Sequence, residues 1–172
     1  FINVATLVAV TSFTNTAHAQ WTGTNLNPAG ATLSRATAAS GGQQAGHATV
    51  GGVARASLWS GTAASWVDLH PAGSSSSTAY AARGGQQAGY AIVDGINRAS
   101  LWSATAESWV SLHPARAAGS EAAAISGGQQ AGWARVGGGA GARHASLWSG
   151  TAASWVDLHP AGATQSFACL LY

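Results

Sequence analysis

Three histidines stand in one recurring tripeptide, Leu-His-Pro, at His70, His113 and His159. Imidazoles repeated at one place in a chain offer two chemistries, a metal ligand set or a rim of hydrogen-bonding groups for sugar hydroxyls. The proline restricts the residue before it to extended geometry, so the simpler role for each His is a hydrogen bond to a turn carbonyl. Equivalent residues on adjacent sheet repeats also stand too far apart to converge on one Zn²⁺, whose nitrogen ligands lie at about 2.0–2.1 Å. No metal and no cofactor is expected.

The tryptophans are the second chemical resource. Trp59, Trp102 and Trp148 each follow a Leu within an apolar run and are expected in the core, because a large aromatic buries roughly 150–250 Å². Trp66, Trp109 and Trp155 follow short Thr/Ala links, where one ring face at a strand start can stay wet and stack on a sugar. A third position differs in each copy, reading His47, Tyr90 and Trp133. Copies that vary at one site while keeping a scaffold resemble a tuned ligand surface, although drift on an exposed face produces the same pattern.

Catalytic sets are not found. The acids are Asp68, Asp94, Glu107, Glu121 and Asp157, scattered over unlike positions, whereas acid/base hydrolysis needs two facing carboxylates. Asp68 and Asp157 precede their histidines by two residues, but the middle copy has Ser111 there, so the pair reads as one that is not maintained. No Gly-x-Ser-x-Gly elbow occurs, and the glycine-rich stretch 137–141 lacks the Lys-Ser/Thr of a phosphate loop. No catalytic residue is assigned.

These residues recur because the chain itself recurs. Gly41-Gly42-Gln43-Gln44-Ala45-Gly46 returns at Gly84 and again at Gly127, 43 residues further on each time. A half repeat thus covers 20–40, followed by repeats at 41–83, 84–126 and 127–172. Within the second, four strand-like segments are legible: Gln86 to Val93, Arg98 to Ser103, Ser108 to His113 and Glu121 to Ser126. Asp94-Gly95 between apolar runs is a hairpin signal, since both residues tolerate the positive φ of a type I′ turn. After the Gln pair one parity is small in every copy (Gly46, Ala48, Val50 and their equivalents), which predicts a face pressed against a close neighbour and the variable parity where packing is looser.

Four strands in a unit of about 40–45 residues predict an all-β chain, a β-propeller-type array of four-stranded antiparallel blades. Closure takes about four to eight blades, so roughly three and a half repeats predict a truncated chain, an open arc, or closure through other copies. The stretch from Trp21 to Pro28 is expected to pair with a final blade where one is present. An open arc exposes the apolar face of a blade and invites self-association.

The segments Ala56-Ser57-Leu58-Trp59, Trp66-Val67-Asp68-Leu69, Ala79-Tyr80-Ala81 and Gly85-Gln86-Gln87-Ala88-Gly89 resemble the bacterial extracellular HAF repeats, whose pattern runs roughly H-A-F-L-W, D-L-G, A-Y-A-I-N and G-Q-V-V-G. The resemblance covers nearly all of 21–172, and His144-Ala145-Ser146-Leu147-Trp148 is its nearest copy. Ser stands in place of the usual Phe, and His70, His113 or His159 in place of the usual Gly after Asp-Leu. The resemblance implies a secreted, propeller-like repeat of unassigned biochemical role and supplies no catalytic residue.

The ends and the charge agree with that setting. Phe1 to Val10 is an uncharged apolar run and Ala17-His18-Ala19 precedes Gln20, which reads as a signal peptide over 1–19; the run is too short to span a bilayer. Export places the mature chain in an extracellular or periplasmic, oxidising compartment. Cys169 is the single cysteine and is expected to be a small buried hydrophobe. Seven Arg, no Lys and five acids give a formal net charge of +2, and the arginines fall singly, so neither nucleic acid nor an anionic membrane is an expected partner. A secreted, non-enzymatic binding or scaffolding surface is the leading expectation, with a glycan or another protein as partner. A carbohydrate-binding lectin comes second and a hydrolase third.

Overall fold

The computed structural model describes residues 22–138 and 141–169. The segment read as a signal peptide, together with Trp21, lies outside the described residues. Among those described, residues 22–28 belong to no strand, and twelve strands follow: β1 (Ala31–Ser40), β2 (Gln43–Val50), β3 (Val53–Trp59), β4 (Val67–Asp68), β5 (Ser76–Arg83), β6 (Gln86–Val93), β7 (Ile96–Trp102), β8 (Val110–Ser111), β9 (Ser120–Ser126), β10 (Gln129–Val136), β11 (Ala142–Trp148) and β12 (Val156–Asp157). They form three four-stranded antiparallel sheets, each in simple sequence order.

Each sheet begins one strand before a Gly-Gly-Gln-Gln block, so the sheets are offset from the sequence units by a strand. The first two strands join through that block's Gly pair, with φ of 58° and 78° at Gly41 and Gly42, which only a residue without Cβ adopts freely. Asp94 and Gly95 supply the equivalent left-handed turn between β6 and β7, at φ of 53° and 73°. The fourth strand is short, and the expected segment Ser108 to His113 pairs only at Val110 and Ser111.

The small parity has a cause that lies inside each sheet. Between Ala36 and Ala38, between Ala79 and Ala81, and opposite Ala131 and Gly132, the register slips by one residue. This bulge drives the first strand's backbone into the second. A methyl group added at Gly46, Gly89 or Gly132 would stand 1.8, 2.0 or 1.9 Å from the carbonyl oxygen of Arg35, Thr78 or Glu121. Glycine is thus demanded by the neighbouring strand of its own sheet, while Ala48, Ala91 and Ala134 on the same face are fully buried.

The sheets stack in series. Ala45, Ala56, Leu58 and Leu69 of the first meet Ala79 and Trp102 of the second; Ala88, Ala99, Leu101 and Leu112 of the second meet Ala122, Ala134 and Trp148 of the third. Trp59, Trp102 and Trp148 are fully buried, as the sequence predicts, and truncating such a residue typically costs about 3–5 kcal/mol. Each following sheet lays its first strand across the preceding one: β5 lies against β1, β2 and β3, and β9 against β5, β6 and β7. Cys169 is exposed rather than buried, because the tail that carries it lies on the outside of the third sheet.

Candidate functional site

His70 and His113 sit at the joints between sheets, and His159 holds the equivalent place on the third sheet. Nε2 of His70, His113 and His159 lies 3.1, 3.0 and 2.9 Å from the carbonyl oxygens of Ser74, Ala117 and Ala163. A carbonyl only accepts, so Nε2 carries the proton and Nδ1 is the acceptor. Nδ1 then takes the hydroxyl proton of Ser77, Ser120 or Ser166, at 2.8, 2.7 and 2.7 Å. The same three oxygens accept the backbone N–H of Ala56, Ala99 and Ala145, at 2.8, 2.9 and 2.9 Å. The first two clasps tie a sheet to the strand crossing it, and the third ties the third sheet to the chain's C-terminal tail. The expected turn-carbonyl bond is present at every copy, and a serine seven residues downstream, which the sequence reading missed, completes it.

Burial holds the His70 and His113 imidazoles below the ordinary histidine value, opposed by the bonds to the Ser74 and Ala117 carbonyls. Nearby Arg55 and Arg98 act in the same direction as burial. In the third sheet the equivalent arginine is His144, whose ring stacks on His159 at 3.8 Å and bonds Asp157 at 2.8 Å. Burial pushes the Asp157 carboxyl up, yet the bonds from His144 and the His159 N–H outweigh it and hold the group low.

Asp68 and Asp157 do share a role with Ser111. All three side-chain oxygens accept the backbone N–H of the histidine two residues on, at 2.8, 2.9 and 3.4 Å. Either an Asp or a Ser oxygen closes such a turn, so the position is maintained in function although its residue type changes. Asp68 additionally pairs with Arg55 at 2.8 Å.

The strand-start tryptophans are half-buried. The indole N–H of Trp66, Trp109 and Trp155 donates to Ser57, Ser100 and Ser146, at 2.9 Å in each case, and those hydroxyls donate onward to the carbonyls of Arg55, Arg98 and His144. Trp109 packs on the first joint's apolar cluster and Trp155 on the second's. Their polar edges are therefore fixed within the scaffold, and only ring surface is left to offer.

Two equivalent clefts open at the joints. One, of about 330 Å³, is bounded by Arg55, His70, the loop from Pro71 to Gly73, Ala106 and Glu107. The other, of about 360 Å³, lies between the loop from Pro114 to Ala117 and the residues Val136, Ala152, Ala153 and Trp155. Repeat alignment places Gly73 opposite Arg116 and Glu107 opposite Ala153, so the same scaffold carries different chemistry at its two joints.

The variable position does not form one surface. His47 is half-buried and opposite Arg35 in the ladder; burial first, then the Arg35 charge, lowers its pKa. Tyr90 sets its ring 5.6 Å from that of Tyr80, and burial raises the Tyr80 phenol. Trp133 lies under the Arg143 guanidinium at 4.5 Å and opposite Glu121 in the ladder, whose carboxyl is raised by burial. Asn97 donates to the same carboxylate at 2.9 Å, and these groups edge a polar recess of about 240 Å³.

The predicted site residues are thus distributed over successive joints, and no single centre gathers them. Glu121, Asn97, Arg116 and Arg143, which the sequence reading did not select, line the recesses because strands distant in sequence bring them together. Among the described residues no three His, Cys, Asp or Glu side chains converge as a metal set, and no helix is long and apolar enough to cross a membrane. Comparison with protein-family models, curated proteins and solved structures returns no match to this chain.

Proposed function

We propose that this chain is a secreted, non-enzymatic repeat protein of β-propeller type, related to the HAF repeats, that presents clefts between blade-like sheets as a binding or scaffolding surface. One observation carries the reading. The His, Ser and Trp side chains with reactive or polar potential make the same scaffold bonds at successive copies, whereas the residues that differ between copies edge the recesses. A catalytic group needs a free proton acceptor or nucleophile aimed at a substrate, and each recurrent histidine here has both ring nitrogens engaged.

A glycan is the second reading, favoured by Trp155 on the wall of the larger cleft beside Arg116. An aromatic face with an adjacent planar donor suits a sugar ring, which presents C–H groups on one face and hydroxyls at its rim. A glycan array probed with the chain, alongside Trp155→Ala checked for retained folding, tests this. Binding lost in the variant supports a lectin. Silence across the array removes the glycan and leaves the protein-binding reading, and turnover in a broad hydrolase screen would overturn the non-enzymatic one.

A further inference from the structure

The two ends of the stack are complementary halves of one joint. At the internal joints Leu69 and Leu112 are 0% exposed under the next sheet, whereas the equivalent Leu158 of the third sheet is 46% exposed. Leu58 and Leu101 are likewise buried, while their counterpart Leu147 is only half-buried. The third sheet therefore presents an uncovered copy of a face that elsewhere receives another sheet of this repeat.

The first sheet shows the opposite deficit. Ser77 and Ser120 are 0% exposed, as are Ala79 and Ala122, because β5 and β9 lie across a preceding sheet. Their equivalents on β1 are Ser34, which is half-buried and makes no hydrogen bond through its hydroxyl among the described residues, and Ala36, which is exposed. Ser34 and Ala36 thus hold on β1 the places that Ser77 and Ala79 hold on β5, and Ser120 and Ala122 on β9, where those residues meet a preceding sheet.

Part of the vacant bed is held by the chain's own tail. Ser166 accepts the Ala145 N–H and bonds His159 as Ser77 and Ser120 do at their joints, and the Ser166 and Ala168 N–H groups donate to the carbonyls of Arg143 and Gly132. The tail reproduces the contacts of a crossing strand without forming one, and leaves Leu158 open.

We infer that a second copy of this chain docks head to tail on the third sheet, its β1 displacing the 163–169 tail so that Ser34 takes the place of Ser166. Such an interface is heterologous, so assembly continues beyond a dimer unless the rotation closes a ring. The register also brings Arg35 into the place of Phe167, beside Arg143, so added salt strengthens assembly by screening like charges. This inference does not depend on the ligand of the clefts.

Two chemically identical substitutions test it with opposite signs. Ser166→Ala loosens the tail and Ser34→Ala removes the incoming clasp, so sedimentation equilibrium of the full chain should show the association midpoint falling in the first and rising in the second. Each shift should be roughly fivefold to tenfold, the worth of a neutral hydrogen bond. Leu158→Asp, at a site already exposed and so compatible with folding, should leave only monomer. A wild-type chain that stays monomeric at every concentration, or serine variants that shift in the same direction, would overturn the inference.

Discussion

His113 Nδ1 lies 2.7 Å from Ser120 Oγ across the joint between the second and third sheets, and that oxygen takes the Ala99 N–H at 2.9 Å. The serine is 0% exposed. Removing its hydroxyl leaves both a ring nitrogen and a buried backbone donor without a partner, and each such orphan costs about 1–3 kcal/mol. Ser120→Ala is expected to destabilise by about 2–4 kcal/mol in urea unfolding. The double variant with His113→Ala should cost less than the sum of the two single changes, because the groups form one network.

Burial of the His70 and His113 rings sets a pH dependence, with their carbonyl bonds acting in the opposite direction. The folded forms of His70 and His113 bind protons less readily than the unfolded chain, in which histidine titrates near its ordinary value of 6.5. Between that value and the lower folded one the unfolded state holds more protons, so stability rises with pH across the window and falls on acidification below about 6.5. Glu121 contributes with the opposite sign. Burial raises its folded pKa above the ordinary 4.5, so its contribution declines as pH rises from there. Melting temperature measured against pH should fall on the acid side, and His70→Gln with His113→Gln should flatten that fall; an unchanged slope would refute the lowered folded pKa of the two histidines.

How far the sequence reveals these features depends on whether the cause is local. The 43-residue period, the Gly-Gly turns and the paired tryptophans follow from backbone and burial rules that act within a few residues, and the three sheets follow from them. The serine seven residues after each histidine, and the one nine residues before each strand-start tryptophan, also keep fixed spacing. They were legible in principle, but Ser is so common in this chain that a fixed spacing carries little signal without the geometry. The recess around Glu121, Asn97 and Arg143 was not legible at all, because it depends on how the second and third sheets are placed together. Cys169 was misjudged for the same reason: composition favours a buried cysteine, and only the placement of the tail shows it exposed.

Gly89 separates steric need from turn conformation. Its φ is not in the left-handed region, yet an added Cβ would lie 2.0 Å from the Thr78 carbonyl oxygen. Neither backbone can retreat without breaking the bulge, so Gly89→Ala is expected to cost at least about 3 kcal/mol, the upper end of overpacking effects. Gly84→Ala meets no atom within 4 Å but sits at φ of 58°, and should cost only about 1 kcal/mol through backbone strain. Thermal unfolding of the two variants should show this order, and equal losses would refute the steric account.

Ala104, like Asp94, is a described non-glycine residue held at positive φ where the other copies carry glycine. Gly61 and Gly150 occupy the equivalent turn at φ of 83° and 81°, whereas Ala104 adopts φ of 66°, and its N–H is held by Gln87 Oε1 at 2.9 Å. A left-handed alanine costs about 1–2 kcal/mol, and glycine gives back about 0.4–1 kcal/mol through the entropy of the unfolded chain. Ala104 is also partly buried against the first joint's apolar cluster, so its methyl contributes a little packing. Ala104→Gly should therefore be slightly stabilising, by up to about 1 kcal/mol, and Gly150→Ala destabilising by a similar amount. Guanidinium unfolding of both variants checks the pair, because a strained turn requires opposite signs, and a loss in both would show that the methyl's packing outweighs the strain.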